Sequence, residues 1–142
     1  MKIGIVGNGF VGSSVAFGFS AQTGCDAEIK IYDKDESKAT HSLSETLESD
    51  FIFVSVPTPS NSDGSINLDI VYDCFSEMSM LNKRKDNVIL LRSTVVPGTT
   101  RKLKNKFRNL NIVFNPEFLT ERSAKFDFIN QSRFIIGGKQ SD

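Results

Sequence analysis

Two cysteines in 142 residues, Cys25 and Cys74, are too few and too far apart for a disulfide framework, and no apolar stretch reaches the length of a membrane span. Neither charge is in excess: 17 basic residues face 17 acidic ones, so no strong field draws the chain to nucleic acid or an anionic membrane. No leader fits before the first apolar run, because Met1-Lys2-Ile3-Gly4-Ile5 enters it directly, and a cytoplasmic location is expected. The length suits one domain with a real core and leaves little for a second domain. The cysteines are read as reduced structural residues near helix ends, neither a nucleophile. Lys83-Arg84-Lys85 is read as the solvated end of a helix rather than a binding patch.

What the chain does have is a series of short apolar runs bounded by turn residues: Ile3 to Val6, Ile29 to Tyr32, Phe51 to Val56, Val88 to Leu91, Ile112 to Phe114 and Phe134 to Ile136. Continuous β-branched runs of this length, separated by helical stretches, predict an α/β fold with a doubly wound parallel sheet covered on both faces. The helices are placed at Val11 to Ala21, with small residues Gly12, Ser13, Ala16 and Gly18 for close packing on the sheet, at Leu68 to Leu81 with Asn67 as N-cap, and at Thr99 to Phe107. Between Asp33 and Asp50 there is room only for a turn or two of helix through Leu47, capped by Ser42 or Ser44. A third strand of the first half-fold is therefore vestigial. Six phenylalanines follow Asn105, namely Phe107, Phe114, Phe118, Phe126, Phe128 and Phe134; most are read as core, and a surplus among them at the C-terminal end predicts an apolar surface and self-association.

The first apolar run leads into Gly7-Asn8-Gly9-Phe10-Val11-Gly12, and a lone acid, Asp33, ends the second run 21 residues after Gly12. Strand, G-x-G-x-x-G, helix and distant acid together form a dinucleotide-binding fingerprint, with a glycine-rich turn as the bland alternative. Gly7 permits the turn, Gly9 lets the backbone approach a pyrophosphate, and Gly12 lets helix and strand pack closely. The helix beginning near Phe10 directs free N–H groups at the phosphates. Asp33 would accept from a ribose diol and repel a 2′-phosphate, which favours NAD over NADP.

Three later motifs also fall at the ends of apolar runs, where a doubly wound sheet forms its ligand crevice. Val56-Pro57-Thr58-Pro59 with Asp63-Gly64 is a stiff turn at the adenosine side or simply a rigid stop. Ser93-Thr94-Val95 with Pro97-Gly98-Thr99 brings hydroxyls to the crevice. Asn115-Pro116-Glu117-Phe118-Leu119 with Glu121 brings two carboxylates, which would otherwise be dipole-favourable acids of a first helical turn. In this order, and with Asp127-Phe128 and Ser132-Arg133-Phe134-Ile135-Ile136-Gly137 closing the chain, these motifs resemble the N-terminal, Rossmann-type NAD-binding domain of the UDP-glucose and GDP-mannose dehydrogenase family over nearly the whole length.

The resemblance implies oxidation of a nucleotide-sugar C6 alcohol to a carboxylate by two NAD, through an aldehyde held on a cysteine. It implies Glu117 as general base toward a water that Thr94 helps orient, and Glu117, Phe118, Leu119 and Glu121 as the segment contacting a UDP-glucose or GDP-mannose type of substrate. Glu121 also approaches the nicotinamide ribose. Asp33 with Lys38 beside it, Gly7 to Gly12, Val56, Pro57, Thr58, Ser93, Thr94 and Val95 match the cofactor positions. The family's nucleophilic cysteine region, beyond the Asn-Pro-Glu-Phe-Leu motif, has no counterpart before Asp142, and the segment after Asp33 is shorter than the family pattern. The expected role is thus NAD binding, with nucleotide sugar engaged only alongside a C-terminal domain and no turnover by this chain alone. The rival readings are a non-catalytic NAD-binding or partner module and, less favoured by the Asn115 to Leu119 motif, a Rossmann dehydrogenase of small hydroxy acids.

Overall fold

The computed structural model describes residues 1–138. Five strands, β1 (Lys2–Val6), β2 (Glu28–Tyr32), β3 (Phe51–Val54), β4 (Val88–Leu91) and β5 (Ile112–Phe114), form one parallel sheet in the order β2-β1-β3-β4-β5. They are joined through α1 (Phe10–Gly18), α2 (Leu43–Thr46), α3 (Asp69–Leu81) and α4 (Thr99–Lys106), and α5 (Ala124–Asn130) follows β5. Strand alternation divides the core in two. Ile52, Val54, Ile89, Leu91 and Ile112 face α3 and α4, packing on Val71, Phe75, Met78 and Leu103, while Ile3, Ile5, Phe53, Leu90 and Val113 face Val15 of α1 and Phe128 of α5. Both faces are covered, as a parallel sheet requires.

The chain reverses its direction of progress across the sheet between β2 and β3, on either side of β1. That makes the carboxyl end of β1 a topological switch point, where a crevice opens between connections leaving in opposite directions. Residues 33–50 hold two short helical turns and no strand, so the first half-fold is shortened. Its turn is fixed by a capping box in which Ser42 and Glu45 bond each other's backbone N–H groups.

Several expectations need correction. Phe134 to Ile136 is not a strand: only Gly137 pairs, through one antiparallel bridge to Phe114, and the three side chains are 41–56% exposed. Apolar propensity there meets no neighbouring strand in register. The strand at Phe51 stops at Val54, where its neighbour β1 ends at Val6 and the chain turns at Gly7. α1 ends at Gly18, followed by a 3₁₀ turn at Ala21–Thr23, and Gly18 faces α5 rather than the sheet: a Cβ there would sit 2.1 Å from the Phe128 ring. α3 starts at Asp69, whose N–H donates to the Asn67 side chain from just outside the helix. Nor is Arg84 simply solvated. It donates to the Glu48 carbonyl at 2.7 Å and pairs with Asp50 and Asp86, tying the turn before β4 to the turn before β3. Of the late phenylalanines only Phe107 and Phe128 are buried; Phe118 and Phe126 are 77% and 65% exposed.

Both cysteines are free thiols, Cys25 exposed and Cys74 buried within α3. Burial, followed by the nearby Glu77 charge, pushes the Cys74 thiol up to about 12, so it stays protonated near neutrality. No helix among the described residues is long and apolar enough to cross a membrane.

Candidate functional site: the crevice at the strand ends

The glycine turn is built by mutual exclusion of side chains. Gly7 sits at φ +90°, a conformation L side chains rarely adopt, and a Cβ on it would lie 2.6 Å from the Ser55 carbonyl. A Cβ on Gly12 would lie 2.0 Å from the Gly7 carbonyl oxygen, so the first turn of α1 rests directly on the end of β1. Gly9 is the opposite case: its Cβ would meet nothing within 4 Å. The fold therefore needs glycine at 7 and 12 but not at 9, where the bare backbone faces open space. The first helical bond of α1 runs from Ser13 N to Gly9 O, so the N–H groups of Phe10, Val11 and Gly12 have no helical acceptor and no side chain caps them. An extended anionic ligand laid over Gly9 would meet those donors and the positive end of the helix dipole.

Asp33 follows β2 and turns back to the glycine loop. One carboxylate oxygen accepts from Asn8 N at 2.6 Å and the other from Asp35 N at 2.9 Å. The carboxylate is thus oriented by two backbone donors while each oxygen keeps a further lone pair for a hydroxyl. Lys38 lies on the same side, its carbonyl accepting from Asn8 Nδ2 at 2.8 Å, but its ammonium pairs with Asp35 rather than Asp33.

On the other side of the switch point a cleft of about 270 Å³ is lined by Gly9, Phe10 and Val11, by Ser55 to Thr58, by Arg92 to Thr94 and by Glu117. The sequence motifs from four strand ends, those of β1, β3, β4 and β5, converge here. Ser93 is less available to a ligand than its motif suggested, since its hydroxyl donates to the Val56 carbonyl at 2.8 Å and braces the loops after β3 and β4. Thr94 is exposed, whereas Val95 turns away and packs on the core. Glu117 is half-buried; one oxygen accepts from Leu119 N at 2.6 Å, and the other has no protein donor among the described residues. Phe118 and Leu119 instead border a second concavity with Phe126, Asp127 and Arg133, and Glu121 a third beside Phe10 and Ser13. The cleft thus gathers Glu117 but not Phe118, Leu119 or Glu121. A larger cavity of about 1100 Å³ runs along α4 by Arg101, Arg108 and Asn111, at the amino end of β5 and away from the glycine turn.

Arg92 was not singled out by its motif, yet it is 2% exposed and contributes to the cleft. Burial pushes its guanidinium down to about 10, opposed by the Glu117 charge, and it remains protonated near neutrality. The available signal was a cation placed directly after the four-residue apolar run Val88 to Leu91, where the next side chain is also covered.

Sheet order, glycine turn and oriented acid define a Rossmann-type dinucleotide-binding domain. The sequence profile of the UDP-glucose/GDP-mannose dehydrogenase family, NAD binding domain, matches residues 37–142, three-quarters of the chain, and the chain belongs to that family. The matched part begins after the glycine fingerprint, so it stands on the later motifs independently. The UDP-glucose 6-dehydrogenase of Campylobacter jejuni is 34% identical over 98% of this chain and 42% of its own length, and UDP-glucose 6-dehydrogenase AglM of Haloferax volcanii is 28% identical over 98% and 41%. The chain spans about two fifths of the length of these relatives. Among solved structures, a ternary complex of GDP-mannose dehydrogenase from Pseudomonas aeruginosa superposes with a TM-score of 0.79 at 23% identity, covering 96% of this chain and 41% of that one. UDP-glucose dehydrogenase from Pyrobaculum islandicum gives the same TM-score and identity over 99% and 41%. A 3-hydroxyisobutyrate dehydrogenase of Mycobacterium tuberculosis follows at 0.75 and 16%, a likeness of fold alone. The protein is an NAD-binding domain of this family.

Proposed function

We propose that NAD lies across the switch point with its pyrophosphate over Gly9, its adenosine ribose on Asp33 and its nicotinamide in the cleft bounded by Val56 to Thr58, Ser93, Thr94 and Glu117. The observation that carries this is the contrast within the glycine turn: two glycines are demanded by neighbouring backbone and one by nothing in the protein. Calorimetric titration tests it. NAD should bind more tightly than NADP by about 1 to 3 kcal/mol, since a 2′-phosphate meets the Asp33 charge where a diol finds an acceptor. Equal affinities would remove Asp33 from the site. Asp33→Asn is the cleaner variant, because its one amide oxygen can still accept from Asn8 N and gives up only the Asp35 N bond, whereas Asp33→Ala would release both and loosen the glycine loop.

In the complete reaction of such a family member, Glu117 would take a proton from a water positioned beside Thr94, and the nucleotide sugar would be gripped chiefly by residues beyond this chain. Glu117 and Thr94 line one cleft, and Glu117 keeps an oxygen without a protein donor, which supports that role. A cysteine intermediate has no residue here: Cys74 is buried and protonated, and Cys25 lies beside Thr23 and Ile129, outside the cleft. The purified 142-residue chain is accordingly expected to form no NADH with UDP-glucose or GDP-mannose while still binding NAD. Steady NADH formation that persists in Glu117→Gln would overturn both the assigned role and the need for further residues.

A further inference from the structure

Arg92 is held on three sides. Its backbone N–H donates to the Val54 carbonyl at 2.8 Å, its guanidinium carbon lies 6.0 Å from the Phe53 ring centroid and 5.6 Å from that of Phe128, and Nη1 donates to Asn115 Oδ1 at 2.5 Å. Asn115 is itself fully buried and fixed, its Nδ2 donating to the Ile135 carbonyl at 2.8 Å. The remaining nitrogens, Nε and Nη2, are buried and have no hydrogen-bond partner among the described residues. These two carry the parallel N–H bonds of one guanidinium edge, the fork that receives both oxygens of a carboxylate. A buried cation with a whole edge unpaired is costly, and an oxyanion on that edge relieves the cost.

We propose that Arg92 anchors a carboxylate subsite on the floor of the cleft, taking a small organic acid in bidentate fashion through Nε–H and Nη2–H. Phosphate groups of the dinucleotide are poorly placed to use it. Gly9 follows β1 and Arg92 follows β4, two strands away in the sheet, roughly 10 Å at ordinary strand spacing. Glu117 is the acid that acts on Arg92 electrostatically, but its carboxylate is held by Leu119 N and makes no ion pair with the guanidinium. Because both nitrogens are covered, entry requires a rotamer change in the cleft wall, which exposed side chains make within nanoseconds. The acid is either a free carboxylate or the carboxylate of an oxidised sugar. The subsite does not depend on NAD, and NAD affinity is measured separately so that either assignment can fail alone.

The test follows the Arg92 Nε–H resonance in ¹⁵N-labelled full chain, assigned by its loss in Arg92→Lys, during titration with acetate or glucuronate at constant ionic strength with chloride as control. A saturable shift with carboxylates and not with chloride is expected. Arg92→Lys, which keeps the charge but not the fork, should weaken the binding read at neighbouring amides roughly tenfold, and Glu117→Gln should strengthen it by removing a like charge. Glucuronate binding more tightly than acetate identifies the sugar acid; equal binding identifies a free carboxylate. The proposal fails if no carboxylate moves the resonance, or if Arg92→Lys and Arg92→Met bind carboxylates as the unaltered chain does. It also fails if Glu117→Gln alone, without ligand, moves the resonance as far as saturating carboxylate, since Glu117 would then be the occupant.

Discussion

Gly12→Ala is expected to destabilise the domain by at least about 3 kcal/mol, seen as a fall of roughly 10 °C in melting temperature. The added Cβ would stand 2.0 Å from the Gly7 carbonyl oxygen and 3.1 Å from Ile5 Cγ2, and neither neighbour can yield cheaply. Gly7 is pinned at φ +90° with its N–H bonded to the Tyr32 carbonyl, and Ile5 is fully buried in the sheet. Relief would require α1 to lift from β1, opening the contact that Val15 and Phe128 make with Ile3, Ile5 and Phe53. Gly18→Ala should cost less despite a similar nominal overlap, because the atom it meets is the edge of the Phe128 ring, which can turn. A melting temperature for Gly12→Ala within a degree or two of the unaltered chain would show that the helix docks more loosely than the structure indicates.

Gly9→Val should do the reverse. Its backbone, at φ −77° and ψ −162°, is extended and open to any L residue, and the new side chain would touch nothing within the protein at Cβ. Stability should be nearly unchanged. NAD affinity should drop at least about 100-fold, about 2.8 kcal/mol, because the isopropyl group would occupy the approach to the N–H groups of Phe10 and Val11. Thermal denaturation and calorimetry on the same sample separate the two effects. Unaltered NAD affinity in Gly9→Val would reduce the glycine turn to a structural corner and remove the pyrophosphate from it.

The contrast between these variants marks how far local sequence reaches. The fingerprint gave the turn to Gly7, the approach of a pyrophosphate to Gly9 and the helix contact to Gly12, and the Cβ environments place protein backbone against Gly7 and Gly12 and nothing within 4 Å of Gly9. Strand positions were legible where apolar runs find neighbours: β3 to β5 fall within the expected runs, β1 and β2 start one residue before theirs, and the missing strand after Asp33 followed from the few residues there. Phe134 to Ile136 has the same composition but only Gly137 meets β5, so the run stays unpaired. Fold class and crevice location were fixed by alternation of apolar runs with helices, since parallel strands put all their carboxyl ends on one side.

Identity of the cleft's members was a different matter. Glu117, Glu121, Phe118 and Leu119 are neighbours in sequence, yet only Glu117 faces the cleft that also holds Gly9 and Thr94. The loop after β5 has no hydrophobic period to fix its side-chain directions; the Glu117 to Leu119 turn and the docking of α5 on α1 set them. Arg92 shows the limit most clearly. In sequence it is a cation at the end of a strand, a place where charge usually meets water, and its burial between Phe53 and Phe128 depends on residues 39 and 36 positions away. By itself the sequence determined the parallel sheet, the glycine turn and the acid opposite it, because these are set by local periodicity and backbone sterics. Tertiary structure alone decided which strand-end side chains share one cleft and which cation lies beneath it, because those depend on helices docking across the sheet from distant parts of the chain.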